Sequence, residues 1–471
     1  MPTKFGGGGE SYIHPAVMVA MLLVAILTFI LPRKQGIVPF IAGAFLIPMD
    51  QVLIIGPFHF QMLRLLILIG WARVLSLSLP SRVGLAGGFN RIDRALVVFV
   101  LSTAACVILL WQDSAAVTNQ LGMIYTVFGI YFLLRYLIRD RSDIRRTFQT
   151  FAWVAAVLGV ILAVEQLTGR NPYIYIGGAR EVIRANLLDE GRNRAMGSFG
   201  HPILAGTFGG ILVPFFIALR VEGYKKTALL GFVASTTIAL SANSSTPWLA
   251  FVAGLFAFWL WPLRKQMSLI RRLLVVTLIG LHLCMKAPVW ALIARVDLTG
   301  SSSGYHRYQL VDQCIRHFSD WWLVGTKDYG NWGWDMWDLA NQYVSICDTS
   351  GLLPFICFIA ILVYGFQYLG QARRLAECDR KTERWVWAIC AALFANLIAF
   401  FGISYFDQTM AVWYCLLAII PVVWNSVETG TVKLSAKAVR RSNSRENELA
   451  PVISPRTWGM LIKHPTWTQN T

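Results

Sequence analysis

The stretch that decides the fold is residues 95–111, ALVVFVLSTAACVILLW, which contains no charged residue. A transmembrane helix needs about 20 predominantly apolar residues, and comparable runs recur along nearly the whole chain of 471 residues. Hydrophobic residues make up 56% of the chain and charged residues 14%, against roughly 25% charged in a soluble domain. This composition, with a mean hydropathy of +0.55, excludes a soluble enzyme, a disordered scaffold and a nucleic-acid-binding module.

We therefore expect an all-α, polytopic integral membrane protein: a helical bundle of about 12–13 transmembrane helices. The expected spans are 15–32, 37–55, 59–78, 95–111, 118–138, 147–167, 202–219, 226–241, 246–263, 273–293, 351–370, 384–401 and 408–425. The second of these spans is the weakest, because Pro48 and Asp50 interrupt it.

The formal net charge of +17 is concentrated in alternate loops, where Lys and Arg mark the cytoplasmic side of a membrane protein. This pattern predicts a multi-pass protein of the cell inner (cytoplasmic) membrane, with its N-terminus and active face on the periplasmic or extracellular side. If the second span is only a re-entrant segment, the N-terminus instead lies inside and the rest is unchanged. The expected parts are a disordered N-terminus (1–14), a transmembrane domain (15–425) with two long outer loops (168–201 and 294–350), and a basic cytoplasmic tail (426–471) near membrane lipid.

The first outer loop ends in RNRAMGSFGHP, residues 192–202. Arg192 and Arg194 precede glycines that let a ligand approach the backbone closely, and His201 stands where a helix begins, with free N–H groups that favour an anion. Arginine can hold a phosphate through two parallel hydrogen bonds. The alternative is that these arginines lie at the membrane surface and extend to lipid headgroups.

The second outer loop contains SGYHRYQLVDQCIRHF, residues 303–318. Its apolar residues recur at helical spacing and predict an amphipathic helix; they are Leu310, Val311, Cys314, Ile315 and Phe318. Arg307 precedes Leu310 by three positions, so it lies along the apolar stripe and is predicted to be buried. A buried arginine needs an anionic partner, which is either a ligand or an acid of the protein such as Glu165.

Five tryptophans follow within residues 321–337, interleaved with acids, glycines and amides. Indole rings stack on the apolar faces of sugars while amides and carboxylates bind hydroxyls, which makes Trp334, Trp337 and Asn341 candidate sugar contacts. The alternative is that the tryptophans are interfacial anchors. Arg64, within the third span, is a further candidate anion ligand, because charges inside a membrane are costly and are commonly functional.

In order and spacing, these pieces resemble the O-antigen ligase and polysaccharide polymerase family of bacterial membrane glycosyltransferases. The similar pieces are RAMGSFGHP (194–202), SST (244–246), HRY (306–308), the stretch 318–325, and NQY (341–343) before GLL (351–353). The likeness covers roughly residues 60–425, and its specific part is 194–355. It implies a donor saccharide linked to undecaprenyl pyrophosphate, with Arg194 and Arg307 holding the departing pyrophosphate while an acceptor glycan hydroxyl displaces it. No metal or cofactor is implied.

The chain departs from the family's pattern at three places. Ligases of the family carry a His-Asn pair before a Gly-Leu-Leu-Gly turn, whereas this chain has Ala340-Asn341 before the turn and Pro354 at its end. The family's Ser-Arg after span eight corresponds to Thr246-Pro247 here. Asp338, two residues upstream of Ala340, is therefore the candidate general base, with His306 and His317 as further candidates.

The expected function is a polysaccharide polymerase or ligase that acts on a carrier-linked saccharide at the outer membrane face. The missing family histidine favours a polymerase-type or exopolysaccharide enzyme over a lipid A core ligase. The alternatives are a transporter or flippase for lipid-linked saccharides and a non-catalytic component of a polysaccharide export system. A flippase is expected to carry charges and broken helices through the full membrane depth, whereas Arg64, Glu165 and Lys286 all fall in the outer half.

Overall fold

The computed structural model describes residues 11–56, 58–78, 84–178, 193–295 and 303–449. It is an all-α, polytopic membrane bundle, which confirms the predicted fold class, and seven of its described helices are long and apolar enough to cross a membrane. The first helices are α1 (Pro15–Ile30), α2 (Ile37–Leu46), α3 (Met62–Ser78), α4 (Arg91–Trp111), α5 (Ser114–Leu137) and α6 (Arg141–Thr168). Those that follow are α7 (Pro202–Glu222), α8 (Lys225–Ser241), α9 (Ser245–Trp259), α10 (Met267–Cys284), α11 (Ser303–Arg316), α12 (Phe318–Trp321), α13 (Gln342–Ser350), α14 (Leu352–Leu375), α15 (Arg380–Ala399) and α16 (Thr409–Leu449).

Local sequence signals set the helix ends. Before α4, the Asn90 side chain accepts from the backbone of Asp93 while the Asp93 side chain accepts from the backbone of Asn90, which is a reciprocal capping box. The Asp140 side chain caps α6 by accepting from the backbone of Asp143, and α6 ends at Gly169, whose φ of +65° suits glycine. The helix that contains the apolar run 95–111 therefore begins at Arg91, directly after its cap and four residues earlier than predicted.

Helix α7 lies at the centre of the bundle, packed against α8, α9 and α15, with 89% of its apolar window buried. Phenylalanine rings join it to its neighbours: Phe215 stacks on Phe148 of α6 at 4.4 Å, and Phe208 lies 4.8 Å from Phe45 of α2. Phe199, just before α7, joins the same cluster at 5.4 Å from Phe208. The Gly-Ser-Phe-Gly segment is thereby anchored to the most buried part of the fold.

The connections at residues 31–36, 138–140, 223–224, 260–266 and 376–379 meet at one end of the bundle, which we call the basic end. Ion pairs join them across the sequence: Arg33 with Asp143, Arg141 with Glu222, and both Arg264 and Arg373 with Glu383. The carboxylates are buried, with Glu383 1% exposed. These loops were predicted from charge to share a face, and the ion pairs confirm that they do.

The other end, the loop end, is formed by residues 47–56, 58–61, 169–178, 193–201, 242–244, 285–295, 303–351 and 400–408. Part of it is a hairpin of β1 (Val52–Ile55) and β2 (Phe58–Gln61), antiparallel with Leu53 opposite Phe60. Gln51 ties the hairpin to the loop end, because its Oε1 accepts from the backbone of His14 and its Nε2 donates to the carbonyl of Ile176.

The predicted second span, 37–55, is wrong as a continuous helix. Helix α2 ends at Leu46, and about ten residues at 1.5 Å each cross only half of a bilayer core. Residues 47–49 continue without helical structure but are buried, as irregular backbone at membrane depth must be. Gln408 provides a hydrogen-bond partner for the backbone of this segment, because its Nε2 donates to the carbonyl of Ile47 at 3.2 Å.

Further boundaries also differ from the prediction. The third span, expected at 59–78, is helical only from Met62, because residues 59–61 belong to strand β2. The tenth span, expected at 273–293, is α10 at Met267–Cys284, followed by a 3₁₀ segment at Val289–Arg295. Residues 11–14, expected to be unstructured, are held by a β-bridge from Tyr12 to Val52. Helix α16 runs through the predicted boundary at 425 and continues to Leu449; residues 1–10 and 450–471 lie outside the described part of the chain.

Candidate active site

Residues 242–246, which include the junction between α8 and α9 and the start of α9, bind two of the arginines that the sequence singled out. Arg194 Nε donates to the carbonyl of Ala242 at 3.5 Å, and Arg307 Nη2 donates to Thr246 Oγ1 at 2.9 Å. Thr246 Oγ1 in turn donates to the carbonyl of Gly402 at 3.1 Å. Thus three distant pieces of the chain, at 194, 246 and 307, converge on one short connection at the loop end.

Arg307 is buried, with 7% of its surface exposed, which confirms the prediction made from the apolar stripe. Helix α11 spans Ser303–Arg316, and its buried residues Leu310 and Cys314 follow Arg307 at spacings of three and seven. Ile315, which the prediction placed on the same stripe, is 47% exposed, because it points about 100° away from Cys314 around the helix.

The segment that carries Arg194 is held by the protein's own backbone and acids. Glu165 Oε2 accepts from the backbone of Met196 at 3.2 Å and of Gly197 at 2.8 Å. Gly197 has a φ of +59°, which favours glycine. These bonds use Glu165 to shape the loop, so the acid that the sequence suggested as a partner for Arg307 has a local structural role.

His201 caps α7, because its Nδ1 accepts from the backbone of Ile203 at 3.2 Å. Burial, and to a smaller extent the nearby positive charge of Arg194, together lower the pKa of His201 to about 4. At neutral pH the imidazole is therefore uncharged. As a ligand contact it would act as a hydrogen-bonding group and not as a cation.

A histidine and two aspartates lie beside Arg307. His306 Nε2 is 3.0 Å from the carbonyl oxygen of Asp338, and ligand atoms of His306, Asp335 and Asp338 lie within 4.8 Å of one another. Desolvation raises the pKa of Asp338, opposed by the positive charges of His306 and Arg307 and reinforced by Asp335. A raised carboxyl pKa suits a general base working near neutral pH.

The same three side chains, His306, Asp335 and Asp338, could supply one nitrogen and two oxygen ligands to a cation. The absence of a metal from the predicted mechanism stays a prediction.

The sequence stretches 318–325 and 351–353 are in contact with each other. The backbone of Leu352 donates to the carbonyl of Trp322 at 2.9 Å, and that of Thr326 donates to the carbonyl of Asp348 at 2.8 Å. Gly325 and Gly351 both have a φ of +88°. A Cβ on Gly351 would lie 2.8 Å from the carbonyl oxygen of Leu323, so glycine is required for this close approach.

The predicted sugar contacts lie in two environments. Trp334 and Trp337 are 76% and 72% exposed, on the loop that leads to α13. Asn341 is 1% exposed and caps α13, where its Oδ1 accepts from the backbone of Tyr343 at 3.0 Å and of Val344 at 3.2 Å. Sugar binding by the two tryptophans stays a prediction, while the Asn341 side chain is engaged in holding the helix.

Arg64 is placed apart from the α8–α9 junction by its hydrogen bonds. It donates from Nε to Thr126 Oγ1 of α5 at 3.1 Å and from Nη1 to the carbonyl of His59 at 2.6 Å. The structure therefore does not bring Arg64 together with Arg194 and Arg307 through shared partners. Arg192 lies outside the described residues.

One carboxylate of the site, Asp407, was not found from the sequence. It follows α15 at the loop end with a φ of +51°, and its Oδ2 would be 2.5 Å from a Cβ placed on Gly200. Burial, and to a smaller extent the negative charge of Asp50, together raise the pKa of Asp407 to about 6. The only sequence signal was an acid in a short turn next to an apolar span.

The fold and site define a polytopic helical membrane protein with a cationic and acidic cluster at its loop end. Comparison with known proteins adds no closer assignment: no protein-family model and no curated protein matches the chain.

Proposed function

We propose that the protein is a membrane glycosyltransferase that transfers a saccharide from an undecaprenyl-pyrophosphate carrier to an acceptor sugar hydroxyl. The observation that carries the proposal is the convergence of Arg194 and Arg307 on residues 242 and 246, with Asp338 beside His306. Two arginines near one connection suit a pyrophosphate, and an adjacent acid of raised pKa suits an acceptor hydroxyl.

In the proposed reaction, Asp338 accepts the proton of the acceptor hydroxyl. The hydroxyl oxygen forms a bond to the anomeric carbon as the bond from that carbon to the pyrophosphate oxygen breaks, and the electron pair leaves on the pyrophosphate. Arg194 and Arg307 stabilise this developing charge, an effect worth about 10²–10³ in rate for a single donor in other enzymes. The exposed Trp334 and Trp337 would contact sugar rings.

The proposal also sets the orientation. Because basic loops remain cytoplasmic, the basic end would face the cytoplasm of a bacterial inner membrane and the loop end would face the periplasm or cell exterior. A carrier lipid in the outer leaflet then presents its pyrophosphate at the depth where the helices of the loop end begin. Oligosaccharide polymerisation is favoured over transfer to a lipid A core by the absence of the family's histidine at Ala340.

Reconstitution tests the proposal. Purified protein in liposomes receives a radiolabelled polyprenyl-pyrophosphate oligosaccharide, with no ATP and no other enzyme. We expect new glycosidic bonds and released polyprenyl pyrophosphate, both reduced about 10²–10³-fold by Arg194→Ala or Arg307→Ala.

The matched control is Arg316→Ala, an arginine on the same helix as Arg307 whose side chain is 66% exposed and paired with Asp312. It should retain activity. Movement of the intact lipid between leaflets without bond formation would instead identify a transporter and contradict the proposal.

A further inference from the structure

A cavity of about 350 Å³ lies between α4, α5, α13, α14 and α16 at the loop end. It falls within the range of roughly 300–1,000 Å³ typical of small-molecule sites. On α5 its lining begins at Gln120 and reaches Val127, which lies about 20 Å from the start of that helix at 1.5 Å per residue. The cavity therefore extends from the loop end well into the depth of the bundle.

The walls combine aromatic rings with uncharged polar groups. None of the described residues that line the cavity carries a formal charge. Eight of the described lining residues are aromatic, among them Trp413, and seven are polar and uncharged, among them Gln120, Gln342, Ser345 and Thr349. Rings flanked by hydroxyls and amides suit a ligand with apolar ring faces and many hydroxyl groups.

Gln120 provides an independent sign of a ligand. Its side chain is 7% exposed, and its Nε2 donates to Asn119 at 3.2 Å. Its Oε1 is buried and has no hydrogen-bond partner among the described residues. A buried acceptor without a partner destabilises the folded state, and such a group in a native structure calls for an explanation. A hydroxyl donated by a bound ligand would satisfy it.

The cavity is distinct from the arginine cluster, and α13 separates the two. Gln342, Ser345 and Thr349 of this helix face the cavity. Val344 and Cys347, on its other face, pack against Leu310 and Cys314 of α11, the helix that carries Arg307. A pyrophosphate has no cation to meet among the lining residues, and a hydrocarbon chain would leave the Gln120 oxygen without a donor.

We propose that this cavity binds a neutral, hydroxyl-rich saccharide. Its identification as the acceptor chain rests on the function proposed above, in which α13 would hold the acceptor on one face and lie against the donor site on the other. Binding itself does not depend on transfer, so the two proposals can fail separately.

The test is a binding measurement without any carrier lipid. Purified protein in nanodiscs is titrated with the neutral trisaccharides maltotriose, cellotriose and mannotriose, and binding is followed by calorimetry and by tryptophan emission, since Trp413 lines the cavity. We expect saturable binding of at least one of them. Gln120→Leu should weaken it about three- to tenfold, the loss expected for one neutral hydrogen bond.

Ser345→Phe fills the cavity from α13 and should abolish binding, which provides a second route if Gln120→Leu fails to fold. Gln313→Leu makes the same change as Gln120→Leu but lies on α11, away from the cavity lining, and should bind normally. Arg307→Ala should also bind the trisaccharide normally while losing transfer.

Failure of every trisaccharide to bind, or equal binding by wild type and Ser345→Phe, would overturn the proposal. Displacement of a bound trisaccharide by polyprenyl phosphate would assign the cavity to the lipid chain instead. Normal binding without any transfer activity would overturn the proposed function and leave this site standing.

Discussion

Asp348 offers a quantitative test of the packing beneath the site. It lies on α13 with 1% of its surface exposed, and neither carboxylate oxygen meets hydrogen-bond geometry with a described residue. Desolvation raises the pKa of Asp348 from 3.8 to about 7, although the neighbouring Cys314 thiol lowers it somewhat. The ionised form is therefore the unfavourable one in the folded protein.

The sign of the pH dependence follows from linkage. Between pH 4 and 7 the folded protein holds a proton on Asp348 that the unfolded chain has released, so the free energy of unfolding falls as pH rises through this window. A pKa shift of about three units, at 1.36 kcal/mol for each unit, lowers the free energy of unfolding by roughly 4 kcal/mol. This loss is complete above the folded pKa of about 7.

The variant Asp348→Asn keeps the shape and removes the charge. We expect it to abolish this pH dependence and to exceed wild type in stability at pH 8 by about 1–3 kcal/mol, because part of the gain is offset by the buried amide protons. Equilibrium unfolding in mixed micelles of dodecyl sulfate and maltoside, at pH 4 to 8, measures both effects.

Asp312→Asn is the matched control, since Asp312 is also buried but accepts from Arg316 at 2.7 Å and from Trp290 Nε1 at 3.0 Å. It should destabilise the protein at pH 8, because the two oxygens of Asp312 accept separate hydrogen bonds and an amide has only one acceptor oxygen. If Asp348→Asn destabilises at pH 8 to the same degree, Asp348 is not a buried, poorly paired carboxylate and the reasoning is refuted.

Three other predictions concern the loop end. Gly351→Ala should lower the free energy of unfolding by about 1–3 kcal/mol in thermal unfolding, because residue 351 has a left-handed backbone. Gly370→Ala, whose Cβ would meet open space, should not lower it. Equal effects of the two variants would contradict the close approach of Gly351 to Leu323. Because burial lowers the pKa of His201 to about 4, stability should fall by up to roughly 3 kcal/mol from pH 6.5 to 4. His201→Asn, which can still cap α7, should remove that fall, and its persistence would exclude His201 as the cause. Because the pKa of Asp338 is raised, we expect the rate of transfer to fall on the acid side of the pH–rate profile as this base becomes protonated. The residual activity of Asp338→Asn should lack this fall, whereas His317→Gln should retain it.

The helices could be predicted from the sequence because a bilayer leaves the backbone few other ways to satisfy its hydrogen bonds. The errors arose where that constraint is relaxed. Helix α2 stops early because the protein itself, through Gln408, satisfies the irregular backbone that follows. None of the apolar window of α10 is buried in the protein. The long side chains of Arg271 and Arg272, near the basic end, can therefore extend to the membrane interface, and the helix can begin before them.

Within the site, the burial of Arg307 was predictable because it depends on a stripe that recurs within one helix. The raised pKa values of Asp348 and Asp407 were not, because each depends on segments distant in sequence. Asp348 lies where residues 322–326 cross residues 348–352, and Asp407 lies against Gly200. Desolvation is a property of the folded packing, and no local pattern around either aspartate encodes it.

Helix α13 shows how one short sequence can serve two environments. At about 100° per residue, Val344, Cys347 and Asp348 fall on one side, and this side meets α11. Ser345 and Thr349 fall on the other side, where they line the cavity. A shift of α13 that widens the cavity would therefore also press on Leu310 and Cys314 of α11, the helix that carries Arg307. The capping of α13 by Asn341 and the glycine at 351 hold both ends of this helix in place, so its position, more than any single contact, fixes the distance between the proposed acceptor and donor.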